Sequence, residues 1–147
     1  FALLAYHIAT AGIRLTRDYR RPCPLVSVDP NQIRQVLLNL VLNSLQAIAG
    51  RGRPGTIAGR VFERGGRVVA EIEDDGPGIP ADVWPHLFEP FFTTKPPGMG
   101  TGLGLSLSYG IVREHQGRID ARSEPGRGAC FSIELPAVPA VGLVHPD

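Results

Sequence analysis

Between Pro30 and Ala49 the apolar residues Ile33, Val36, Leu37, Leu40, Val41, Leu45 and Ile48 recur every three or four positions, the period of one helix face. Asp29 supplies an N-cap and Pro30 fills the first helical position, while Gly50 and the following "RGRPG" end the run. A second apolar-periodic stretch, "GLGLSLSYGIVREHQG", predicts another long helix closed by Gly117. The alternating "IRLTRDY" predicts a strand at 13–19, and after the turn "RRPCP" the run "LVSV" predicts a short one. Strands at about 55–63 and 67–74 flank Gly65-Gly66, a hairpin signal, and a short helical segment is expected near 81–88. "RIDARS", the turn "EPGRG" and "ACFSIELP" make a closing hairpin. Residues 1–11 read as the end of a helix stopped at Gly12, and the aperiodic "AVPAVGLVHPD" as a loose tail.

Two hairpins among interleaved helices make the sheet mixed and mostly antiparallel. The expected class is α+β, a two-layer α/β sandwich with the helices on one face. One domain over 1–136, entered within a truncated helix, and a flexible tail over 137–147 account for the chain, and no internal repeat is visible.

Composition narrows the chemistry. A chain of 147 residues suits a single core, and a formal net charge of +1 with dispersed basic residues gives no footprint of a nucleic-acid binder. Cys23 and Cys130 lack CxxC spacing, and His7, His86, His115 and His145 fall at no metal-binding interval, so neither a disulfide framework nor a zinc site is supported. No apolar run approaches the roughly 20 residues of a membrane span, so a cytoplasmic piece is expected. The chain opens in the apolar "FALLAYHIA" without a Met, which suggests a piece of a longer protein, itself free to be membrane-anchored.

Three stretches carry candidate chemistry. Asn39 and Asn43 stand four apart in "QVLLNLVLNSLQA", with Gln35 and Gln46 along the same stripe. Asn is a mediocre helix former, and its amide either faces solvent or offers a hard oxygen ligand to Mg²⁺. In "EIEDDGPGI" a strand ends at Asp74-Asp75 and enters Gly76-Pro77-Gly78. That pattern suits a plain turn; it also suits a carboxylate accepting from an exocyclic amine, which would select adenine over guanine. In "KPPGMGTGLGLSLSYG" the only lysine, Lys95, precedes alternating glycines that match neither Walker A nor GxGxxG. Because the run feeds directly into a helix, its free N–H groups and positive dipole end suit anionic oxygens.

Taken in order, these pieces resemble the ATP-binding catalytic domain of sensor histidine kinases, within the group that includes DNA gyrase B, Hsp90 and MutL. "NLVLNSLQA" looks like the N box, "DDGPGI" the G1 box, "LFEPFFTTK" the F box and "GTGLGL" the G2 box, over about residues 25–136. The resemblance implies a Bergerat-type fold that binds ATP with Mg²⁺ beneath a mobile lid at about 93–100. It implies that Asp74 binds the adenine amino group, with Gly76, Gly78 and Ile79 around it and Gly78 allowing the ring close. It gives Asn43 the metal and Asn39 the phosphates or a metal-bound water. Gly100, Thr101, Gly102, Leu103, Gly104 and Leu105 would meet the phosphates, and Phe88, Phe91 and Phe92 would anchor the lid base. Lys95 either meets the γ-phosphate or is solvated.

Two positions depart from the pattern: Ala129 replaces a usual Thr, and Ser44 replaces a usual Ala, a change expected to be tolerated. His7 lacks the acidic neighbour of an acceptor histidine. The resemblance therefore implies a monomeric fragment that donates phosphoryl to a histidine on a dimerisation domain of the same parent protein, and through it to a response regulator. Same-superfamily serine kinases or ATPases and a non-catalytic nucleotide sensor are the alternatives.

Overall fold

The Asp29 carboxylate accepts hydrogen bonds from the N–H groups of Asn31 (2.9 Å) and Gln32 (3.3 Å), so the cap read from the sequence opens helix α1, Pro30–Ala49. Its buried residues, Val36, Leu40, Ser44 and Ile48, fall at intervals of four and form one stripe against the sheet. The computed structural model describes residues 12–21, 23–49, 54–90, 104–124 and 126–138. The helix expected over 1–11 and most of the tail lie outside the described residues.

The other elements among the described residues are β1 (Arg14–Tyr19), β2 (Thr56–Arg64), β3 (Arg67–Asp74), α2 (Gly104–Glu114), β4 (Arg118–Ser123) and β5 (Ala129–Pro136). They form one sheet in the order β1-β2-β3-β5-β4, with β1 parallel to β2 and the remaining pairs antiparallel. The expected mixed α+β sandwich is present. Gly65 and Gly66 both take the left-handed backbone, as the two-residue hairpin between β2 and β3 requires.

Strand alternation separates the two faces. Phe131, Ile133, Leu135 and Ile119 are buried with Val36 and Leu40 of α1 and Val112 of α2, and Ile57 with Ile13 and Ile48 of α1 in a second cluster. Each such side chain contributes about 1.5–3 kcal/mol by leaving water. The opposite face is laced with ion pairs: Glu71 lies between Arg60 (3.0 Å) and Arg122 (3.3 Å), and Glu134 between Arg64 (2.6 Å) and Arg67 (3.5 Å). Cys130 is buried on this face, where burial pushes its thiol pKa up and keeps it inert.

Two local expectations are corrected. "LVSV" forms only a single bridge, Val26 to Ala137, because Pro24 and the cap at Asp29 leave too few residues for a ladder. Near 81–88 the chain makes a 3₁₀ turn, Trp84–His86, with bonds from Val83 to Pro80 and from His86 to Val83, since Pro80 and Pro85 supply no N–H for a longer helix. Just after β5, Ala137 N–H bonds Gly66 O and Val138 N–H bonds Leu25 O.

The two helices are tied at their far ends through His115. Its Nδ1 donates to Ile111 O (2.8 Å) and its Nε2 accepts the Asp29 N–H (3.1 Å), which fixes the tautomer and joins the end of α2 to the α1 cap. His115→Ala is expected to cost about 1 kcal/mol, read as a lower urea midpoint at unchanged slope.

Candidate functional site

β3 ends at Asp74, whose carboxylate points toward the helix layer, and the chain then turns over α1 through Gly76-Pro77-Gly78. Asp74 is 3% exposed. Its Oδ1 accepts the Gly76 N–H at 2.8 Å, and Oδ2 has no hydrogen-bond partner among the described residues. Burial pushes the Asp74 pKa above the ordinary carboxylate range, against the lowering influence of the Gly76 N–H, the Ser44 hydroxyl and the Ala129 N–H. The neighbouring Asp75 does a structural job, accepting the Thr56 N–H at 2.9 Å and so fixing the start of β2.

Backbone packing holds Asp74 in place. Gly128 has φ +91°, and a Cβ there would overlap the Asp74 carbonyl oxygen. Gly78 has φ +86°, and a Cβ would lie 2.7 Å from Glu124 O and 2.9 Å from Ser123 Oγ. Its want of a side chain lets the loop rest on the end of β4, a reason distinct from the ring approach the sequence suggested. Ser123 Oγ accepts the Ile79 N–H (2.6 Å) and donates to Gly128 O (2.8 Å), so one hydroxyl joins the loop to the β4–β5 turn. Ile79 is buried in the main core.

On α1, Asn39 is a helix-to-helix bridge. Its Nδ2 donates to Gly104 O (3.3 Å) and Ser108 Oγ (3.2 Å), while its Oδ1 accepts from Gln35 Nε2 (2.8 Å). Ser108, fully buried, donates in turn to Gly104 O at 2.9 Å. This knot sets the first described turn of α2 beside the polar stripe of α1. Asn43, half-buried one turn along, has an amide that none of the described residues hydrogen-bonds. Leu105 packs on the core, and Phe88 packs there too, with its ring 5.5 Å from that of Tyr109.

Thus Asp74, Gly76, Gly78 and Ile79 fall at the end of β3 and in the loop after it, Asn39 and Asn43 on the middle turns of α1, and Gly104 and Leu105 on the first turn of α2, which Asn39 joins to α1. Phe91, Phe92, Lys95, Gly100, Thr101, Gly102 and Leu103, with the lid expected at 93–100, lie outside the described residues. Reasoning from the sequence missed Ser108, Ser123 and Gly128 and set Ser44 aside. A serine on an otherwise apolar four-residue stripe was the available signal for Ser44.

Residues 28–139 match the family model described as histidine kinase-, DNA gyrase B- and HSP90-like ATPase. The chain belongs to this family. Asn39, Asn43, Asp74 and the start of α2 all lie within the span matched to that family. It is 42% identical over 135 residues to the sensor histidine kinase ZraS of Klebsiella oxytoca, covering 91% of this chain and 28% of that one. It is 40% identical to the sensor kinase CckA of Brucella abortus, covering 91% of this chain and 15% of the relative. The chain thus spans well under a third of these curated relatives. Among solved structures, the nucleotide-free catalytic domain of the histidine kinase ThkA superposes with a TM-score of 0.80 at 32% identity, covering 92% of this chain and 86% of that domain. Full-length ShkA in complex with AMPPNP superposes at 0.82, with 28% identity over 95% of this chain. The family is an ATPase family, so ATP is the ligand class of the domain. No described helix is long and apolar enough to cross a membrane.

Proposed function

We propose that the chain binds Mg-ATP and supplies its γ-phosphoryl group to a histidine on a dimerisation domain of the same parent protein, as one step of two-component signalling. One observation carries this reading: the Asp74 carboxylate is buried at the end of β3, in the loop region that packs on α1, and its Oδ2 accepts from none of the described residues. The carboxylate suits a 6-amino group, and guanine would set an acceptor against it.

The remaining roles follow from residue chemistry. Gly76, Gly78 and Ile79 hold Asp74 and the loop beside it. Gly100, Thr101, Gly102, Leu103, Gly104 and Leu105 offer backbone N–H groups to the phosphates at the start of α2. Asn39 fixes that helix start, and Lys95 meets the γ-phosphate. The donor set fits Mg²⁺: the Asn43 amide oxygen is a hard neutral ligand on the phosphate side, and Mg²⁺ binds through few protein ligands plus phosphate oxygens. Once held there it would neutralise phosphate charge. With so little covalent work for the protein, catalysis rests on positioning and electrostatics.

Asn39 also speaks against a hydrolytic ATPase of the same superfamily. It donates to the Gly104 carbonyl, and a carboxylate general base in its place would face that carbonyl oxygen to oxygen. The domain is proposed as residues 1–136, monomeric, cytoplasmic and without nucleic-acid partners. A response regulator is proposed as the indirect partner, as ThkA is seen with the response regulator TrrA. Labelled ATP incubated with the chain and the parent's dimerisation domain is expected to give acid-labile label on that domain. Acid-stable label, or phosphate release alone, would favour the serine kinase or the ATPase, and nucleotide binding without either would favour a sensor.

Asn43→Ala is expected to remove the Mg²⁺ dependence of ATP affinity and to leave metal-free binding within about twofold, as measured by calorimetry. Equal losses with and without Mg²⁺ would contradict a metal role.

A further inference from the structure

β1 is the edge strand of the sheet, and its ladder shows which backbone groups stay open. The N–H groups of Arg14 and Arg20 donate to Gly55 O and Val61 O, both at 2.9 Å, alongside β2. Alternation gives Thr16 and Asp18 the same facing. The N–H and C=O groups of Leu15, Arg17 and Tyr19 therefore point away from β2, where no described strand pairs with them. All six residues of β1 are exposed. The charge along this edge is strongly one-signed, with Arg14, Arg17, Arg20 and Arg21 against Asp18 alone. Of these arginines only Arg20 meets an acid among the described residues, Asp18 at 3.8 Å, and its guanidinium lies over the Phe62 ring at 5.3 Å. Past the end of the strand, Tyr19, Arg20, Arg21, Cys23 and Val61 line an open groove of about 750 Å³. The groove is set away from Asp74, which pairs with Ile57 near the start of β2, whereas Tyr19 pairs with Val61 further along.

An open edge with these cations selects its partner. A second copy suits it poorly: antiparallel pairing of two β1 edges centred on Arg17 sets Arg17 opposite Arg17 and Arg14 opposite Arg20, and like charges directly opposite are destabilising. An acidic strand meets the same positions with complementary charge. We infer that the β1 edge is a docking site for an extended acidic segment of a partner protein, which adds to the sheet beyond β1. Main-chain bonds to Leu15, Arg17 and Tyr19 hold the segment, the arginines select its charge, and the groove takes a side chain at its end. Arg17 lies on the helix side of the sheet with Leu15, which is in register with the buried Ile57, and Arg14 lies on the other side. Acidic side chains on either face of the added strand thus find a cation. Docking there leaves the Asp74 end of the sheet uncovered, so it neither needs nor blocks ATP.

The probe is a short synthetic peptide of alternating Glu and Val, with a Lys/Val counterpart and a Glu/Val version N-methylated throughout. Each is titrated into the unaltered chain by calorimetry, and amide hydrogen exchange is followed by NMR. The Glu/Val peptide is expected to bind one-to-one, more weakly as salt rises, and to slow exchange at Leu15, Arg17 and Tyr19. N-methylation, which removes the peptide's donors, should weaken it at least about 10-fold, and the Lys/Val peptide should not bind. Arg17→Glu together with Arg21→Glu should weaken it about 10-fold or more. Leu15→Pro removes one outward donor but no ladder bond and no charge, so it should weaken the peptide by a similar factor and leave ATP affinity unchanged. Binding that survives both N-methylation and Leu15→Pro, or leaves exchange along β1 unaltered, would be plain charge attraction and would overturn strand addition. No binding up to about 1 mM peptide would make the arginines mere guards of an open edge and overturn the inference. Equal binding of the Lys/Val peptide, or self-association of the unaltered chain through β1, would overturn the acidic partner.

Discussion

Asp74→Asn is expected to weaken ATP binding by roughly 100-fold or more while making the nucleotide-free protein no less stable at neutral pH. The loss of affinity comes from turning an acceptor into an amide whose NH₂ opposes the 6-amino group; a hydrogen bond to a charged partner is worth about 1.5–3 kcal/mol, and the misplaced donor adds to this. The stability effect has the other sign. Burial raises the Asp74 pKa in the folded chain above its unfolded value, so the folded state holds the proton more tightly. Stability is then greatest below the unfolded value of about 4 and declines as pH rises through the raised folded value. Asn carries no charge and escapes that decline. The difference in melting temperature between variant and unaltered chain should be near zero below about pH 4 and grow toward neutral pH. A melting temperature that falls on substitution at pH 7, with ATP affinity unchanged, would make Asp74 a structural residue.

Gly128→Ala is expected to cost at least about 4 kcal/mol, a large share of the 5–15 kcal/mol that holds an ordinary domain together. Two causes combine: the left-handed backbone at φ +91°, and a Cβ that would run into the Asp74 carbonyl, which is backbone and cannot swing aside. Gly126 separates them. It shares the left-handed conformation, φ +81°, but has open space where its Cβ would go. Gly126→Ala should therefore cost only the conformational part, about 1–2 kcal/mol. Urea midpoints of the two variants give the comparison, and equal losses would show that the contact with Asp74 does not constrain the site.

Much of this architecture was legible from residue pattern. The period of α1, its Asp-Pro start and the Gly-Gly hairpin are local signals, and local hydrogen bonds enforce them in the structure. The failures came where proline or distant chain decides. "LVSV" has strand composition, but its partner is the chain beyond β5, which no local pattern announces. The segment near 81–88 has the right spacing for a helix, but its prolines remove the donors a helix needs. At the site, the residue types that bear chemistry stood out: Asp74 beside glycines, and two asparagines on one helix face. The supports did not, because Ser123 and Gly128 act through contacts set by the β4–β5 turn, and Ser108 through a contact between two helices. Ser44 lies between these cases. Its place on the buried stripe was readable from the sequence, whereas its influence on Asp74 needed the fold.

The central claim is that this fold closes around adenine at Asp74. Titrating the chain with ATP and then with GTP in the presence of Mg²⁺, and following heat, tests it most directly. The account predicts saturable one-to-one binding of ATP and at least about 100-fold weaker binding of GTP, since the 6-oxo group meets a buried acceptor. Equal affinity for the two nucleotides, or ATP binding that survives Asp74→Asn unchanged, would contradict it.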